Sequence, residues 1–390
     1  MRKRIALGIW IVLLAAFLPV LAAVGEAGES AVSVREVRTE IGGNAIAYPQ
    51  LQGMADEAVQ QKINDDIVLS GDITSHIITL TTLKDSSWGL QLRQESFLAK
   101  DVFSTVLCAR GKLPTGREGQ AYTALSYDLQ TGERLTLADL LTDVDGAVAW
   151  MEAEAQRTLG DELNDYLEHS NVAPLPVGSF YLDAEGICFY YPAEQFQLLS
   201  GDSGACRFFY EELARYLRTD EAGIPARINA LPKTYTVAQQ KASIQKAVEE
   251  GALAGVPVKL GEPLTGLVER FGLLRTPDEF PGGRYYLLEE PHFREVRVIS
   301  DSMQSGYEHS VVEGVQLLRG SFCGLQIGSS VRSEWVAALG EPGKTIVFTE
   351  GMANDYALPV GQSDLYRFGA YELRLHADEN GVLRCIQLGK

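Results

Sequence analysis

Apolar residues along the chain follow two spacings, one typical of helices and one typical of strands. From Ala55 to Ile67 they recur every four positions, which predicts a helix with one buried face. A second helix is predicted over 147–166. A third is predicted over 237–250, where Ala, Gln, Lys and Glu predominate.

Runs rich in β-branched and aromatic residues, separated by turn-forming residues, predict the strands of the first half. The run at 73–83 is assigned to a strand because it is rich in Ile and Thr. A short helix is predicted over 211–217, after the last of these strands. The predicted strands are 34–41, 44–48, 73–83, 88–98, 102–109, 122–129, 180–183, 187–191 and 206–210.

The last third of the sequence contains a weak internal repeat. Its two copies begin at 258–263 and 325–330, and a short amphipathic helix follows each. Further strands are predicted at 284–288, 293–299, 345–348, 371–377 and 382–388. The fold class predicted for the chain is therefore α+β, a mixed module followed by two helix-plus-antiparallel-sheet repeats.

The first residues have the pattern of an export signal. A basic start at 2–4 precedes an uncharged apolar run over 5–24, and small residues follow. Cleavage after Ala22, Ala23 or Ala27 fits this pattern equally, and 1–27 is taken as the signal peptide. The alternative is an uncleaved anchor, because about 20 apolar residues can span a bilayer. We expect an exported, extracellular or cell-surface bacterial protein.

Composition limits the partners. The 390 residues are 46% hydrophobic and carry a formal charge of −18, enough for two or three cored domains with an acidic surface. Removing the signal makes the charge more negative still, since it carries three basic residues and one acidic one. Such a surface repels nucleic acid and attracts cationic partners.

The five cysteines suit neither a zinc site nor a dense disulfide framework, because no two have CxxC spacing. They lie in apolar stretches and are interpreted as small buried hydrophobic residues. Cys188 and Cys206 flank one turn region and could form a disulfide if their strands were neighbours.

Three segments of the first half resemble the extracytoplasmic module of RsiV and PdaC type. The start, at 48–51, 60–64 and 103–104, is similar to the start of that module. The most specific stretch is 127–141, with the sequence YDLQTGERLTLADLL. The end is similar at 180–181, 190–192 and 210–213. The domains predicted are a module over 28–218, a helical connector over 219–255 and the repeat domain over 256–390.

This resemblance implies binding. In RsiV-type anti-sigma factors the module senses lysozyme, and in PdaC-type proteins it precedes a peptidoglycan deacetylase domain. We expect neither a sigma-binding segment nor a deacetylase domain in this chain, which leaves a non-enzymatic binding role. Residues 256–390 resemble the secreted β-lactamase-inhibitor-like fold through short motifs at 328–331 and 339–342, a likeness of fold that does not define a function.

One stretch matches the surroundings of a protease nucleophile. Gly201-Asp202-Ser203-Gly204 has the chymotrypsin-like sequence, and His76 and Asp128 precede it in the right order. The surroundings of His76 and a helix over 147–166 do not fit that fold of paired barrels. Residues 200–204 are therefore interpreted as a polar loop, with a serine hydrolase using Ser203 as the least favoured function.

Other candidate chemistry has simpler explanations. Asp143 and Asp145 match a calcium-loop template, but its first position is Leu141, which has no side-chain ligand. Acids at a helix start favour the helix dipole without a metal. Ser243 and Lys246 have Ser-x-x-Lys spacing, but their companion motifs are missing. We expect no catalytic residue, metal or cofactor.

Aromatic residues near the end of the module are the binding candidates. Alternate residues of a strand face opposite sides, so one set enters the core and the other could form an exposed platform for sugar or protein. Core packing is the more common fate of such residues. The candidates are Tyr181, Tyr190, Phe208 and Tyr210.

The leading hypothesis is a binding protein for lysozyme or another cationic cell-wall hydrolase. It combines the module resemblance with the negative charge, because opposite charges speed association. The alternative is an accessory protein that binds peptidoglycan.

Overall fold

A computed structural model describes residues 32–82, 89–112, 118–159, 175–191, 205–253, 256–271, 278–281, 283–288, 296–300 and 308–390. Among the helices of these residues, none is both long and apolar enough to cross a bilayer. The predicted signal over 1–27 lies outside the described residues.

The first sheet has five strands in sequence order: β1 (Ser33–Ile41), β2 (Asn44–Gln52), β3 (Gly89–Ala99), β4 (Val102–Lys112) and β5 (Glu118–Asp128). The β1–β2 hairpin turns through Gly42 and Gly43, whose φ of +58° and +84° disfavours other residues. Strands β2 and β3 pair in parallel, so the chain between them must cross over the sheet.

Two helices make this crossover: α1 (Glu57–Ser70) and α2 (Ile73–Thr82). Asp56 caps α1 by accepting from the amides of residues 58 and 59. The buried Ile63 and Ile67 of α1 and Leu80 of α2 share a core with strand residues of the sheet. The helix predicted from the 55–67 periodicity is thus confirmed.

The assignment of 73–83 to a strand is wrong, since α2 covers most of it. Its β-branched content misled the prediction, because the same residues also place Ile73, Ile77 and Leu80 on one helical face. Ile73 and Leu80 are buried, while Ile78 is 57% exposed. Burial of that face overrides a weak intrinsic preference.

A second, three-stranded sheet contains β6 (Phe180–Leu182), β7 (Gly186–Tyr190) and β8 (Ala205–Phe209). The predicted strands at 180–183, 187–191 and 206–210 are confirmed. The short α3 (Leu137–Leu140) and the longer α4 (Val144–Leu159) precede it, and the rest of the helix predicted over 147–166 lies outside the described residues. Residues 211–216 form hydrogen-bonded turns rather than the predicted helix.

Cys188 and Cys206 lie on neighbouring strands, but they do not form the disulfide considered for them. In the β7–β8 register, Cys188 is opposite Arg207 and Cys206 is opposite Phe189. This one-residue offset sends the two thiols to opposite faces of the sheet. Each belongs to a different hydrophobic core.

The connector contains α5 (Ile224–Arg227) and α6 (Val237–Glu249), and the latter confirms the predicted helix. Thr236 and Gln239 form its capping box. After α7 (Leu264–Phe271) come β9 (Asp278–Phe280), β10 (Gly283–Leu287), β11 (Val296–Ser300) and β12 (Gly314–Leu317). A small hairpin follows, made of β13 (Ser321–Phe322) and β14 (Leu325–Gln326).

The second repeat contains α8 (Arg332–Leu339), β15 (Lys344–Phe348), α9 (Glu350–Tyr356), β16 (Gly361–Phe368), β17 (Tyr371–Asp378) and β18 (Leu383–Gly389). The two repeats share one antiparallel sheet of order β15-β16-β17-β18-β12-β11-β10-β9. In the described residues each repeat has a leading helix and four strands of this sheet, and in the second repeat α9 lies between β15 and β16. The last strands of the two repeats, β12 and β18, pair with each other. The α+β fold class is confirmed.

Candidate functional site

The 127–141 stretch folds back on strand β5 and then begins α3. The amide of Asp128 donates to Glu133 O at 3.0 Å, and the amide of Leu135 donates to Ser126 O at 2.8 Å. Gly132 makes the reversal at a φ of +69°, and a side chain there would lie 3.1 Å from Val59 of α1. This glycine is required both by its conformation and by the close approach of α1.

Asp66 of α1 ties this stretch to the helix. Its carboxylate accepts from Arg134 at 2.7 and 2.8 Å and from the Tyr127 hydroxyl at 2.8 Å. The hydrogen bonds from Arg134 are the main reason that the pKa of Asp66 is lowered. Burial is the main reason that the pKa of Tyr127 is raised, so the phenol stays a donor.

A second ion-pair group fixes the start of the turn. Arg227 of α5 lies 2.8 Å from carboxylate oxygens of both Asp101 and Asp128. Burial alone would raise the pKa of Asp128, but the Arg227 guanidinium and the amides of the turn lower it. Since the charges of both groups are paired within the chain, we interpret them as a scaffold that positions residues 134–138.

That scaffold forms one wall of an open cleft of about 420 Å³. Strand β5, helix α4 and the turn before β6 supply the other walls. Most lining groups are apolar, and Val177 at the mouth is 41% exposed. We call this feature the α3–α4 cleft. Its lining residues are Ala124, Leu125, Ser126, Arg134, Leu135, Thr136, Leu137, Ala138, Val144, Val148, Val177, Gly178 and Phe180.

Acidic residues flank the lining residues of this cleft in the sequence. Asp139 follows Ala138, while Asp143 and Asp145 stand on either side of Val144. Asp143 also accepts from the amide of Gly146 at 3.0 Å, so it caps α4. A cleft with apolar walls and a few polar groups is typical of a binding site.

The four aromatic candidates are buried, so they form no exposed platform. Tyr181, Tyr190, Phe208 and Tyr210 are 0–2% exposed. The alternation was predicted correctly, since Tyr181 and Tyr190 lie in one core and Phe208 and Tyr210 in another. The face predicted to be exposed is also buried, because the five-stranded sheet packs against it.

The structure describes only some of the other sequence candidates. Ser203 lies outside the described residues, while His76 lies on α2 and Asp128 is ion-paired to Arg227. Ser243 and Lys246 lie on α6. Within the described parts of the chain, no cluster of three or more His, Cys, Asp or Glu side chains could hold a metal ion.

A serine–histidine contact that sequence reasoning missed lies inside the large sheet. His376 Nε2 is 2.8 Å from Pro359 O, a carbonyl that can only accept, so Nδ1 of the neutral ring accepts from the Ser363 hydroxyl at 2.8 Å. Strand register places the two residues opposite each other, and both are at most 1% exposed. The contact satisfies buried polar groups.

His376 should make stability depend on pH. Burial lowers its pKa below 6.5, so the folded protein binds the proton less tightly than the unfolded chain does. We expect the contribution of His376 to the free energy of unfolding to be fully present above about pH 6.5 and to decrease as the pH drops below that value. His76 adds a fall of the same sign, since burial also lowers its pKa.

Urea unfolding between pH 7.5 and 5 measures this dependence. His376→Gln should reduce the slope, whereas His309→Gln, at an exposed histidine, should leave it unchanged. Equal slopes in the two variants would contradict the assignment.

Comparison with known proteins gives no family model and no curated protein that matches the chain. A solved DUF3298 protein from Bacteroides fragilis is similar at 14% identity, over 51% of this chain and 97% of that one, with a TM-score of 0.35. A DUF3298 protein from Pseudomonas aeruginosa is similar at 13% identity, over 52% of this chain and 98% of that one, with a TM-score of 0.37. A DUF4309 protein from Bacillus subtilis is similar at 10% identity, over 39% of this chain and 97% of that one, with a TM-score of 0.25.

The DUF3298 family is related to RsiV- and PdaC-like modules. The similarity covers about half of this chain at low identity. At these TM-scores it defines neither a family nor a function for the chain.

Proposed function

We propose that this chain is a non-enzymatic extracytoplasmic protein that binds a cationic cell-wall hydrolase such as lysozyme, through the α3–α4 cleft. The observation that carries the proposal is the cleft itself. It is open and apolar, and one of its walls is formed by residues 134–138, which belong to the stretch with the most specific resemblance to the lysozyme-sensing module.

The cleft is suited to an apolar side chain that projects from a partner protein. Val148 and Phe180 lie in its lining, and exposed Val177 would lose its contact with water in a complex. Buried apolar anchors of this kind supply much of the affinity of protein interfaces.

Charge supports a cationic partner. The chain carries a formal charge of −18, and three acids are adjacent in sequence to lining residues of the cleft. Electrostatic attraction speeds association, and salt screens it. The apolar contact should persist in salt, so the two contributions can be measured separately.

The test is calorimetry of residues 28–390 with hen-egg lysozyme at low and physiological salt. We expect sub-micromolar binding that weakens but persists at physiological salt. The double variant Asp143→Asn, Asp145→Asn keeps the capping ability of residue 143 and, because slower association lowers the affinity, should weaken binding severalfold at low salt. The matched control, Glu350→Gln with Asp355→Asn, removes two acids from α9 and should change the affinity little.

Absence of binding at both salt concentrations would contradict the proposal and favour peptidoglycan as the ligand. Binding that depends equally on both pairs of acids would contradict the placement at the cleft.

A further inference from the structure

Strand β1 forms one edge of the five-stranded sheet. Among the strands that the structure describes, it pairs only with β2, through all nine residues of Ser33–Ile41. Its surface is accessible, since the side chains of Arg38 and Glu40 are 59% and 72% exposed. A sheet edge of this length offers a row of backbone hydrogen-bonding groups to another strand.

The β1–β2 hairpin determines which backbone groups of this edge point outward. Ile41 lies opposite Asn44 across the two-residue turn, and the two residues that close such a turn hydrogen-bond to each other. Hydrogen-bonded pairs alternate along an antiparallel ladder, so the odd-numbered residues of β1 bond to β2. The N–H and C=O groups of the even-numbered residues, 34, 36, 38 and 40, therefore point away from the sheet.

The charge pattern of β1 is complementary to itself in one antiparallel register. When two copies of the strand pair about a two-fold axis at Val37, Glu36 of each copy lies opposite Arg38 of the other. This register overlaps all nine residues of the strand and pairs even-numbered residues with even-numbered ones, as the outward backbone groups require. Residues opposite each other in such a pair have Cα atoms about 5.5 Å apart, which allows two symmetric ion pairs.

The neighbouring registers bring like charges together. A shift by one hydrogen-bonded pair in one direction places Arg38 opposite its own copy and Glu36 opposite Glu40. The same shift in the other direction places Glu36 opposite its own copy. Like charges directly opposite each other destabilise a sheet. The charges that protect this edge from indiscriminate pairing therefore favour one partner, a second copy of the chain in a single register.

We propose that β1 is the interface of a homodimer, in which two copies pair antiparallel along this strand with Glu36 of each copy opposite Arg38 of the other. The two sheets of five strands then join into one sheet of ten, a size that open sheets reach. Strand β5, which lines the α3–α4 cleft, is at the opposite edge of the same sheet, so dimerisation does not use it. The inference does not depend on the function proposed for that cleft.

Sedimentation velocity of residues 28–390 tests the proposal. One pair of strands buries less surface than most permanent dimers do, so we expect a monomer–dimer equilibrium with a micromolar dissociation constant. Glu36→Arg and Arg38→Glu should each weaken dimerisation at least tenfold, because each places like charges opposite each other at both ion pairs. Glu36→Arg also makes the chain less negative, so general charge repulsion would predict the opposite effect. The matched control for Arg38→Glu is Lys241→Glu, at an exposed lysine of α6, which should leave the equilibrium unchanged.

A mixture of the two variants tests the register. One Glu36→Arg chain and one Arg38→Glu chain have opposite charges at both ion pairs, so an equimolar mixture should form a heterodimer about as strong as the parent dimer. Each variant alone should stay monomeric at the same concentration. A monomeric parent chain, a dimer that both variants leave intact, or a mixture that stays monomeric would overturn the proposal.

Hydrogen exchange distinguishes this pairing from a dimer formed elsewhere on the chain. The amide of Glu36 points outward, so it should exchange slowly in the parent dimer and rapidly in the Arg38→Glu variant. The amide of Val37 bonds to β2 and should be protected in both. Rapid exchange at Glu36 in a dimeric parent chain would overturn the assignment of β1 as the interface.

Discussion

Replacing Arg319 with methionine should lower the free energy of unfolding by about 3–5 kcal/mol. Arg319 follows β12 and packs into the module, where its side chain is 7% exposed. It bonds both carboxylate oxygens of Glu212, at 3.1 and 3.2 Å, and its guanidinium lies over the Phe208 ring at 5.1 Å. Methionine would leave Glu212, whose side chain is 8% exposed, without this partner.

Urea unfolding measures this loss. Arg270→Met is the matched control, because Arg270 pairs with Glu262 while 46% exposed and should contribute less than about 1 kcal/mol. The double variant Arg319→Met, Glu212→Gln should recover part of the loss, since residue 212 then carries no unpaired charge. Equal losses for Arg319→Met and Arg270→Met would show that this contact between the first half and the large sheet is not stabilising.

Removal of the Asp364 carboxylate should have an effect of similar size, about 3–5 kcal/mol for Asp364→Ala. Asp364 is 0% exposed. It accepts from Arg332 at 2.8 Å, from the Trp335 indole at 3.1 Å and from Thr345 at 2.7 Å. Alanine would leave three donors without this acceptor, and Trp335 is itself fully buried.

A graded series checks this account of Asp364. Thr345→Val removes one neutral donor at an exposed residue and keeps the Arg332–Asp364 ion pair, so it should lower the free energy of unfolding by only about 1 kcal/mol. Thermal and urea unfolding should rank Asp364→Ala well below Thr345→Val in stability. The reverse order would mean that Arg332 and Trp335 find other acceptors.

Local sequence patterns predicted those elements in which the apolar residues fit only one spacing, either that of a helix or that of a strand. The helix at 55–67 has a single apolar stripe, and the hairpin at 180–191 has clear turn residues between its strands. The 73–83 run fits both periods, and only the position of its neighbours decides for a helix. Whether the four aromatic residues are exposed likewise depends on tertiary packing, because the five-stranded sheet covers the outer face of their strands.

The cleft could be predicted only in part. Its wall at 134–138 lies in the stretch that carries the most specific resemblance, whereas Asp143 and Asp145 are predicted from the sequence only as acids at a helix start. The other walls come from β5 and α4, which adjoin this stretch in the sequence, and from the turn at 177–178, which is distant in the sequence. The β12–β18 pairing, which joins the two repeats, also has no local sequence signal.

The most direct test of the central claim compares lysozyme binding to two exposed valine variants. Val177→Lys places a charge in the mouth of the α3–α4 cleft, whereas Val237→Lys makes the same change at a 57% exposed valine of α6. Calorimetry at physiological salt should show at least tenfold weaker binding for Val177→Lys and unchanged binding for Val237→Lys. Equal affinities of the two variants, or no binding by the parent chain, would contradict the assignment of the cleft as the hydrolase-binding site.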